Sequence, residues 1–445
     1  MTKEERVPSD SLHAALTLEA MRLGVVPPSD LEESTVGRDM EIDLVRRDLE
    51  QCAHGGARRA FLGDYGLGKS HMLELIEQMA LKQNFLVSKV TLDHTDLSPS
   101  QPKRIYHAVM RNLVYPDKPD CLDGLQPLLE KAAQNESVLE KYLVKMGKAT
   151  PRSVREQLAM GLHLYLTPAI AYTRALADEE HLRIPAHVGD KHAWIQVAKH
   201  LLLDWIEGHP TQSNQDINDE LNMIHGRFPK IYSLLDYRPW AKIYGYILNG
   251  ISQLARDVGY AGLVVVVDEA EFYSLLSSQN RIFAKSLFQA WSHAVCANDE
   301  DALPCSSDEL LIGGYGIQRE LPTRYSDAPG LYLVFAMTPN SDGIRVLQDA
   351  LAPQFICYLN QLSAPDYLQM TSHLVALYRR AYSDADIPDG IETPLSDVVN
   401  ALTQQGQLAN PRQTMKFLTE FLDLVRFDAS RIPEVIENLL YDSDF

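Results

Sequence analysis

The stretch FLGDYGLGKSHML, residues 61–73, contains the pattern G-x-x-x-x-G-K-[ST] between Gly63 and Ser70. Glycines in this pattern allow backbone N–H groups to turn towards phosphate oxygens, and a helix that begins near the lysine adds the positive end of its dipole. Lys69 is expected to reach the β- and γ-phosphates, and the hydroxyl of Ser70 is expected to ligate Mg²⁺. The residues predicted to bind a nucleoside triphosphate are Gly63, Asp64, Tyr65, Gly66, Leu67, Gly68, Lys69, Ser70 and His71.

The residues on both sides of this loop predict a strand, a loop, a helix and a strand in succession. The apolar stretch AFLG leads into the loop, SHMLELIEQMALKQ (70–83) has the pattern of an amphipathic helix, and FLVSKVTLD (85–93) alternates as a strand does. An earlier helix is predicted over residues 39–53 because its apolar residues recur at helical spacing. The loop therefore lies in the β-α-β context that a phosphate-binding loop requires.

Two later apolar stretches predict strands that are buried on both faces of a parallel sheet: LVVVVDEAEFY (263–273) and GLYLVFAMTPN (330–340). Helical patterns dominate elsewhere. We predict an α/β fold, with a parallel-sheet P-loop core, a large helical insertion and a helical C-terminal lid. The predicted domains are an N-terminal segment (1–36), the core (37–360, with the insertion at about 102–258) and the lid (361–445).

Two acidic residues at the end of the valine-rich strand indicate how the nucleotide is used. Asp268 is placed to hold hydrated Mg²⁺, and Glu269 is placed to polarise a water molecule for attack on the γ-phosphate. A small-molecule kinase excludes water and has no use for a carboxylate at that position. The pair therefore favours hydrolysis over phosphate transfer.

Two further features suggest contacts with the γ-phosphate. The strand ending in Thr338-Pro339-Asn340 is expected beside the valine strand, so Thr338 or Asn340 could bind the phosphate or the attacking water; an ordinary strand-ending turn is the alternative. NPRQ (410–413) has the pattern of a helix N-cap followed by proline. Arg412 then lies in the first helical turn, where the interaction of a cation with the helix dipole is unfavourable by about 0.3–1 kcal/mol. A bound phosphate would offset this cost, and an exposed arginine is the alternative.

Composition and charge narrow the class of protein. The chain has no uncharged apolar run of about 18 residues, and its charged N-terminus, MTKEERVPSDSLHAAL, is unlike a secretory signal, so we expect a cytoplasmic protein without a membrane segment. The five cysteines are scattered and support neither a zinc site nor disulfides. A formal charge of −19 argues against coating of nucleic acid. The basic stretch KYLVKMGKATPRSVR (141–155) could contact DNA locally, and solvated helix faces are the alternative.

Taken in order, TVGRDMEIDLVRRDL, GDYGLGKSH, LVVVVDEAEFY, VFAMTPN and NPRQTMKFL resemble the motifs of ASCE P-loop ATPases, on the AAA+, origin-recognition and STAND side. In those families a V-G-R-[DE] segment packs near the adenine, which implies nucleotide contacts for Val36, Gly37 and Arg38. The same resemblance implies that Arg412 is the sensor arginine of the lid. More narrowly, RLGVVPPSDLEESTVGRD followed by GDYGLGKSHML and IYHAVMRNLVYPD is similar to the BrxC/BrxD-type ATP-binding proteins of BREX phage-defence systems.

The resemblance implies an ATPase that uses ATP and Mg²⁺ in a multi-gene bacterial antiviral system, beside a helicase, a methyltransferase or another DNA-acting protein. Thr338 departs from the asparagine of many relatives, and no arginine finger can be assigned among Arg319, Arg324 and Arg345, so a homo-oligomer is left open. The alternative function is an origin-recognition or STAND-type regulator or loader, in which the nucleotide is a switch for DNA binding. Such proteins carry a winged-helix module beyond the lid, and residues 428–445 are too few for one.

Overall fold

The computed structural model describes residues 9–25, 31–143, 153–185, 188–209, 214–221, 223–224, 228–234, 238, 241–295, 321–322, 324–383 and 387–441. Contacts between residues divide the chain into two compact units. The first comprises Met1–Leu44, Leu62–Gln78 and Tyr358–Phe445, and the second comprises Val45–Phe61 and Met79–Cys357. The domain boundaries proposed from the sequence stay predictions. In the described part of the chain, no helix is both long enough and apolar enough to cross a membrane.

The strands of the described chain are β1 (Gly56–Leu62), β2 (Leu86–Thr91), β3 (Leu113–Val114), β4 (Leu263–Asp268), β5 (Leu331–Met337) and β6 (Ile356–Tyr358). They form one six-stranded sheet in the order β3-β2-β4-β5-β1-β6. Strands β2, β4 and β5 are parallel, whereas β3 pairs with β2 in the antiparallel direction. The predicted α/β fold with a mostly parallel sheet is confirmed, although β3 and β6 were not predicted.

The apolar runs of the sequence form the centre of this sheet. β4 pairs with β2 on one side and with β5 on the other. Leu263–Val267 in β4 and all seven residues of β5 are buried. Both faces of these strands are therefore covered, which explains why neither strand alternates between apolar and polar residues. The first residue of β4 that is not fully buried is Asp268, at the carboxyl end of the strand.

Helices account for most of the remaining second unit. They are α5 (Pro102–Arg111), α6 (Gln126–Gln134), α7 (Glu136–Leu143), α8 (Val154–Ala159), α9 (Leu166–Ala177), α10 (Lys191–Ile206), α11 (Asn214–Leu221), α12 (Ala241–Asp257), α13 (Ser278–Val295) and α14 (Ser341–Ala350). Helices α5 to α12 lie between β2 and β4 in the chain, where the helical insertion was predicted.

A buried histidine joins two helices of this region. The Nδ1 atom of His163 accepts hydrogen bonds from the backbone N–H groups of Tyr165 (3.2 Å) and Leu166 (3.0 Å) at the start of α9. Its ring stacks on Tyr246 of α12, with 4.3 Å between the ring centroids. Burial lowers the pKa of His163 to about 3. The imidazole is therefore neutral at physiological pH, as its acceptor role requires.

The first unit is a helical bundle joined to the loop that follows β1. Its helices are α1 (Ser9–Arg22), α2 (Leu31–Ser34), the beginnings of α3 (Asp39–Cys52) and α4 (Lys69–Lys82), α15 (Ala364–Ala381), α16 (Glu392–Gln404), α17 (Pro411–Phe427) and α18 (Ile432–Tyr441). Ala14 and Leu18 of α1 are buried in one cluster with apolar residues of α15 to α17. Arg22 also pairs with Asp423 of α17 at 2.5 Å. The N-terminal helix is therefore part of the C-terminal bundle, which no local sequence pattern indicates.

Candidate nucleotide-binding site

The glycine-rich loop begins directly after β1 and ends where α4 begins. Gly66 (φ 85°) and Gly68 (φ 96°) have left-handed backbone conformations that favour glycine. The N–H of Met72 donates to the carbonyl of Gly68 at 2.9 Å, so the helix is formed from the residue after the last glycine. The ammonium group of Lys69 donates to the carbonyl of Gly63 at 2.7 Å, across the loop. This geometry gives the loop a helix N-terminus and a lysine, both of which attract anions.

The start of α17 packs on this loop. A Cβ atom placed on Gly66 would lie 2.4 Å from Cγ of Asn410, so the absence of a side chain at Gly66 is required by this contact as well as by its φ angle. Asn410 is the N-cap of α17 because its Oδ1 accepts from the N–H of Gln413 at 3.0 Å. Pro411 is the first helical residue, as the sequence predicted. The side chain of Gln413 accepts from the N–H of Ala409 (2.7 Å) rather than from the N-cap residue itself.

Arg412 lies beside the same loop. Its Nη1 atom donates to the hydroxyl of Tyr65 at 2.7 Å, and its guanidinium carbon is 5.0 Å from the centre of the Tyr65 ring. Tyr65 is 72% exposed. The aliphatic part of Arg412 passes Gly24, where an added Cβ would lie 3.3 Å from its Cγ. The first unit thus brings the proposed sensor arginine to the loop, and its contact with a phosphate stays a prediction.

Arg38 connects the glycine-rich loop with the segment before α15. Its Nη2 atom donates to the carbonyls of Leu67 (2.9 Å) and Asn360 (2.7 Å), and its Nη1 atom is 3.5 Å from a carboxylate oxygen of Glu41. The residue is only 6% exposed. Its guanidinium group therefore holds protein carbonyls, which the sequence did not predict for this position.

The other residues of the V-G-R segment are packed against the first unit. Val36 belongs to the buried cluster of the bundle. Gly37 (φ 66°) faces Asp366, since an added Cβ would lie 2.7 Å from its Cγ. His71 is 2.7 Å from Oγ1 of Thr35, which itself donates to the carbonyl of Leu31. The hydroxyl proton of Thr35 is used in its bond to Leu31, so Nε2 of His71 donates to Oγ1 of Thr35. This hydrogen bond connects the segment before Val36 with α4.

His71 is neutral at physiological pH. Burial, and after it the positive charge of Arg38, lowers the pKa of His71 to about 4. The positive charge at this end of the loop therefore comes from Lys69, Arg38 and Arg412 and not from the imidazole. The predicted nucleotide contact of His71 stays a prediction, and its hydrogen bond to Thr35 gives it a structural role.

The acidic pair belongs to the second unit. The carbonyl of Asp268, the last residue of β4, accepts from the N–H of Leu92 after β2 at 3.0 Å. Its Oδ1 atom accepts from the N–H of Glu269 at 2.8 Å. Glu269 has a left-handed backbone (φ 57°, ψ 36°), which is strained for any residue with a side chain. A 3₁₀ helix over Ala270–Leu275 follows directly.

The residues after β5 lie at the same edge of the sheet as the acidic pair, because β4 and β5 are adjacent and parallel. The predicted position of this strand beside the valine strand is therefore confirmed. Oδ1 of Asn340 accepts from the N–H of Gly343 at 2.8 Å and caps α14. Asn340 thus has a capping role. The contact of Thr338 or Asn340 with phosphate or water stays a prediction.

The structure describes only part of the basic stretch and two of the three arginines that were considered as arginine fingers. Arg319 and residues 144–152 of the basic stretch are outside the described residues. At the start of that stretch, Lys141 pairs with Asp257 at 2.7 Å, so this cation has a partner within the protein. Arg324 pairs with Asp327 at 3.0 Å, and Arg345 is exposed on α14. These contacts assign no arginine finger, and the DNA contact stays a prediction.

Comparison with known families gives one match. A family model described as "BREX system ATP-binding protein BrxC/D" matches residues 12–287, which is more than half of the chain. The matched region includes the V-G-R segment, the glycine-rich loop and the acidic pair. No curated protein sequence matches the chain.

Proposed function

The chain belongs to the family of BREX system ATP-binding proteins BrxC/D, and from that premise we propose that it is a Mg²⁺-dependent ATPase of a bacterial phage-defence system. In this proposal ATP turnover drives or switches protein partners that act on DNA, such as a helicase or a methyltransferase. A cytoplasmic location and assembly into a homo-oligomer belong to the same proposal.

The observation that carries the proposal is the arrangement around the glycine-rich loop in the first unit. Gly66 and Gly68 turn the backbone, and α4 begins at Lys69, so the loop ends at a helix N-terminus, where N–H groups and the helix dipole favour a phosphate. Arg38 fixes the loop through the carbonyl of Leu67, and Arg412 lies beside Tyr65. Together with the family match, this arrangement supports a P-loop that binds the triphosphate of ATP.

The residues proposed to hold Mg²⁺ have suitable chemistry. Mg²⁺ prefers oxygen ligands and is commonly bound through one or two protein groups plus phosphates and water. The hydroxyl of Ser70 and the carboxylate of Asp268 are such groups. Asp268 ends a strand that is buried on both faces, which fixes the position of its backbone. When bound, the ion would neutralise part of the charge on the β- and γ-phosphates.

Glu269 is the proposed base for hydrolysis. Its left-handed backbone carries a strain of about 1–3 kcal/mol, and residues held in this way are concentrated at functional sites. The residue directly follows the proposed metal ligand, and the carboxylate of that ligand holds its N–H. We infer that Glu269 polarises the attacking water and that Thr338 or Asn340 is the sensor. A base at this position supports hydrolysis rather than transfer to a small molecule.

The test compares Glu269→Gln with Glu271→Gln in the full chain. We expect Glu269→Gln to bind ATP with Mg²⁺ as tightly as the unchanged protein and to lose at least about 100-fold in turnover, since general-base catalysis typically contributes 10²–10⁴-fold. Glu271→Gln makes the same chemical change two residues away and should keep turnover within a few-fold. Binding is measured with a fluorescent ATP analogue, and turnover is measured by phosphate release.

Each outcome has a defined meaning. Turnover of Glu269→Gln at the rate of the unchanged protein would remove Glu269 as the base, and loss of turnover in Glu271→Gln alone would transfer the role to Glu271. Tight ATP binding without hydrolysis by the unchanged protein, with and without duplex DNA, would instead support a nucleotide switch of the origin-recognition or STAND type.

A further inference from the structure

Arg281, in the first turn of α13, contacts the segment that follows Glu269. Its Nε atom donates to the carbonyl of Leu276 at 3.1 Å, and its Nη2 atom donates to the carbonyl of Ser274. Its guanidinium carbon is 5.7 Å from the centre of the Tyr273 ring. Three contacts of one arginine therefore hold the carboxyl-terminal end of the 3₁₀ helix.

The same guanidinium group also reaches α14. Its Nη1 atom pairs with the carboxylate of Asp342 at 2.7 Å. Asp342 lies in the first turn of α14, two residues after the N-cap Asn340. Arg281 thus connects the segment after β4 with the helix after β5, and both segments begin at the edge of the sheet that carries the proposed base and sensor.

The strained backbone of Glu269 requires such a connection. A left-handed residue with a side chain persists only where its surroundings fix it. On the amino-terminal side, Asp268 holds the N–H of Glu269. On the carboxyl-terminal side, the N–H of Phe272 donates to the carbonyl of Glu269 at 3.1 Å. The following 3₁₀ helix is six residues long, and the poor hydrogen-bond geometry of such helices gives this segment little stability of its own.

We propose that Arg281 is a positioning residue that holds Glu269 in the conformation required for ATP hydrolysis. It acts through the carbonyls of Ser274 and Leu276, and its ion pair with Asp342 fixes this segment relative to α14. The inference rests on the proposed function, because the position of Glu269 matters for turnover only where this residue is the base. Arginine is suited to the task because its planar group serves two carbonyls and a carboxylate at once, whereas lysine presents a single ammonium group.

The chain offers a matched control at the next turn of the same helices. Lys285 of α13 pairs with Asp349 of α14 at 3.0 Å, and the exposures of this pair (31% and 41%) are nearly those of Arg281 and Asp342 (32% and 40%). Lys285→Gln removes an ion pair between α13 and α14 without removing the carbonyl contacts of Arg281. Arg281→Lys keeps a positive charge but replaces the three donor atoms that serve Leu276, Ser274 and Asp342 with one ammonium nitrogen.

The experiment measures turnover, the KM and Kd for ATP, and amide hydrogen exchange over residues 269–276 in Arg281→Lys, Lys285→Gln and Asp342→Asn. We expect Arg281→Lys to lower kcat by about 10- to 100-fold, as a small misplacement of a reacting group does, with Kd for ATP unchanged within about twofold. Amide exchange over residues 269–276 should be faster in Arg281→Lys, and Lys285→Gln should change neither kcat nor this exchange. Asp342→Asn should lower kcat less than Arg281→Lys, because the carbonyl contacts stay.

A normal kcat in Arg281→Lys, in a protein whose Glu269→Gln variant is inactive, would overturn this inference and leave the proposed function standing. Equal losses of kcat in Arg281→Lys and Lys285→Gln would also overturn it, since they would show that any ion pair between α13 and α14 affects turnover. If Glu269→Gln hydrolyses ATP normally, the assignment of Glu269 as the base fails instead, and the exchange measurement still reports whether Arg281 holds the segment.

Discussion

Substitution of Gly66 by alanine tests whether α17 packs on the glycine-rich loop. Gly66 and Gly406 both have left-handed backbones, with φ angles of 85° and 75°. A methyl group at Gly66 would lie 2.4–2.6 Å from three side-chain atoms of Asn410, whereas a methyl group at Gly406 would meet nothing within 4 Å. Gly406→Ala is therefore the matched control, because it carries the backbone strain without the collision.

The expected magnitudes follow from these contacts. The left-handed backbone costs about 1–2 kcal/mol for alanine at either position. At Gly66 the new methyl group must also displace the amide of Asn410, which caps α17, and loss of a cap costs about 0.5–2 kcal/mol more. We therefore expect Gly66→Ala to lower the free energy of unfolding by about 1.5–4 kcal/mol and Gly406→Ala by about 1–2 kcal/mol.

The assay combines urea denaturation with titration of a fluorescent ATP analogue. Gly66→Ala should weaken analogue binding by at least about tenfold, since the loop N–H groups change direction, while Gly406→Ala should leave binding unchanged. In the double variant Gly66→Ala, Asn410→Ala the collision is gone, so its loss of stability should be smaller than the sum of the two single losses. Equal effects of Gly66→Ala and Gly406→Ala on stability and on binding would refute the packing of Asn410 against the loop.

Two further outcomes can be measured. The pKa of His163 is lowered from 6.5 in the unfolded chain to about 3 in the fold, so its contribution to stability is complete above pH 6.5 and is lost as the pH falls towards 3. His163→Asn keeps a hydrogen-bond acceptor but has no titrating ring. It should therefore reduce the slope of the unfolding free energy against pH, between pH 6.5 and 4.5, by about 1.4 kcal/mol per pH unit. An unchanged slope in urea titrations would contradict this. Arg38→Met keeps a long side chain but has no donor for the carbonyls of Leu67 and Asn360, so analogue affinity should fall about tenfold, and normal affinity in the same titration would contradict the role given to Arg38.

The centre of the sheet could be predicted because burial on both faces leaves a clear pattern. β4 and β5 are continuous apolar runs, and the structure places them side by side. The edge strands β3 and β6 have two and three residues, which is too short for any periodicity to be visible. The start of α17 was predictable since its capping pattern is local: Asn410 and Pro411 act on residues within one turn.

The site was predictable only where its residues are contiguous. The phosphate contacts proposed for the glycine-rich loop come from its own backbone, so its pattern is complete in eight residues. The contacts of Arg38 are of another kind, because its two carbonyl partners lie 29 and 322 residues away in the chain. The contact of Asn410 with Gly66, and the packing of α1 into the C-terminal bundle, likewise depend on tertiary structure. A pattern can mark such residues, but it cannot indicate which atoms they meet.

The surroundings of the two arginines near the loop suggest different roles for them. Arg38 is buried with two carbonyls and a carboxylate as partners, and removing a buried cation from its partners is strongly unfavourable. Arg412 is held by an exposed tyrosine through one solvent-accessible hydrogen bond at 2.7 Å and a cation–π contact that is worth only about 0.5–1 kcal/mol. A charge-assisted bond to phosphate is stronger than this contact. Arg412 can therefore exchange Tyr65 for a phosphate at little cost, whereas Arg38 cannot leave its carbonyls, and this difference supports Arg412 as the residue that responds to the nucleotide.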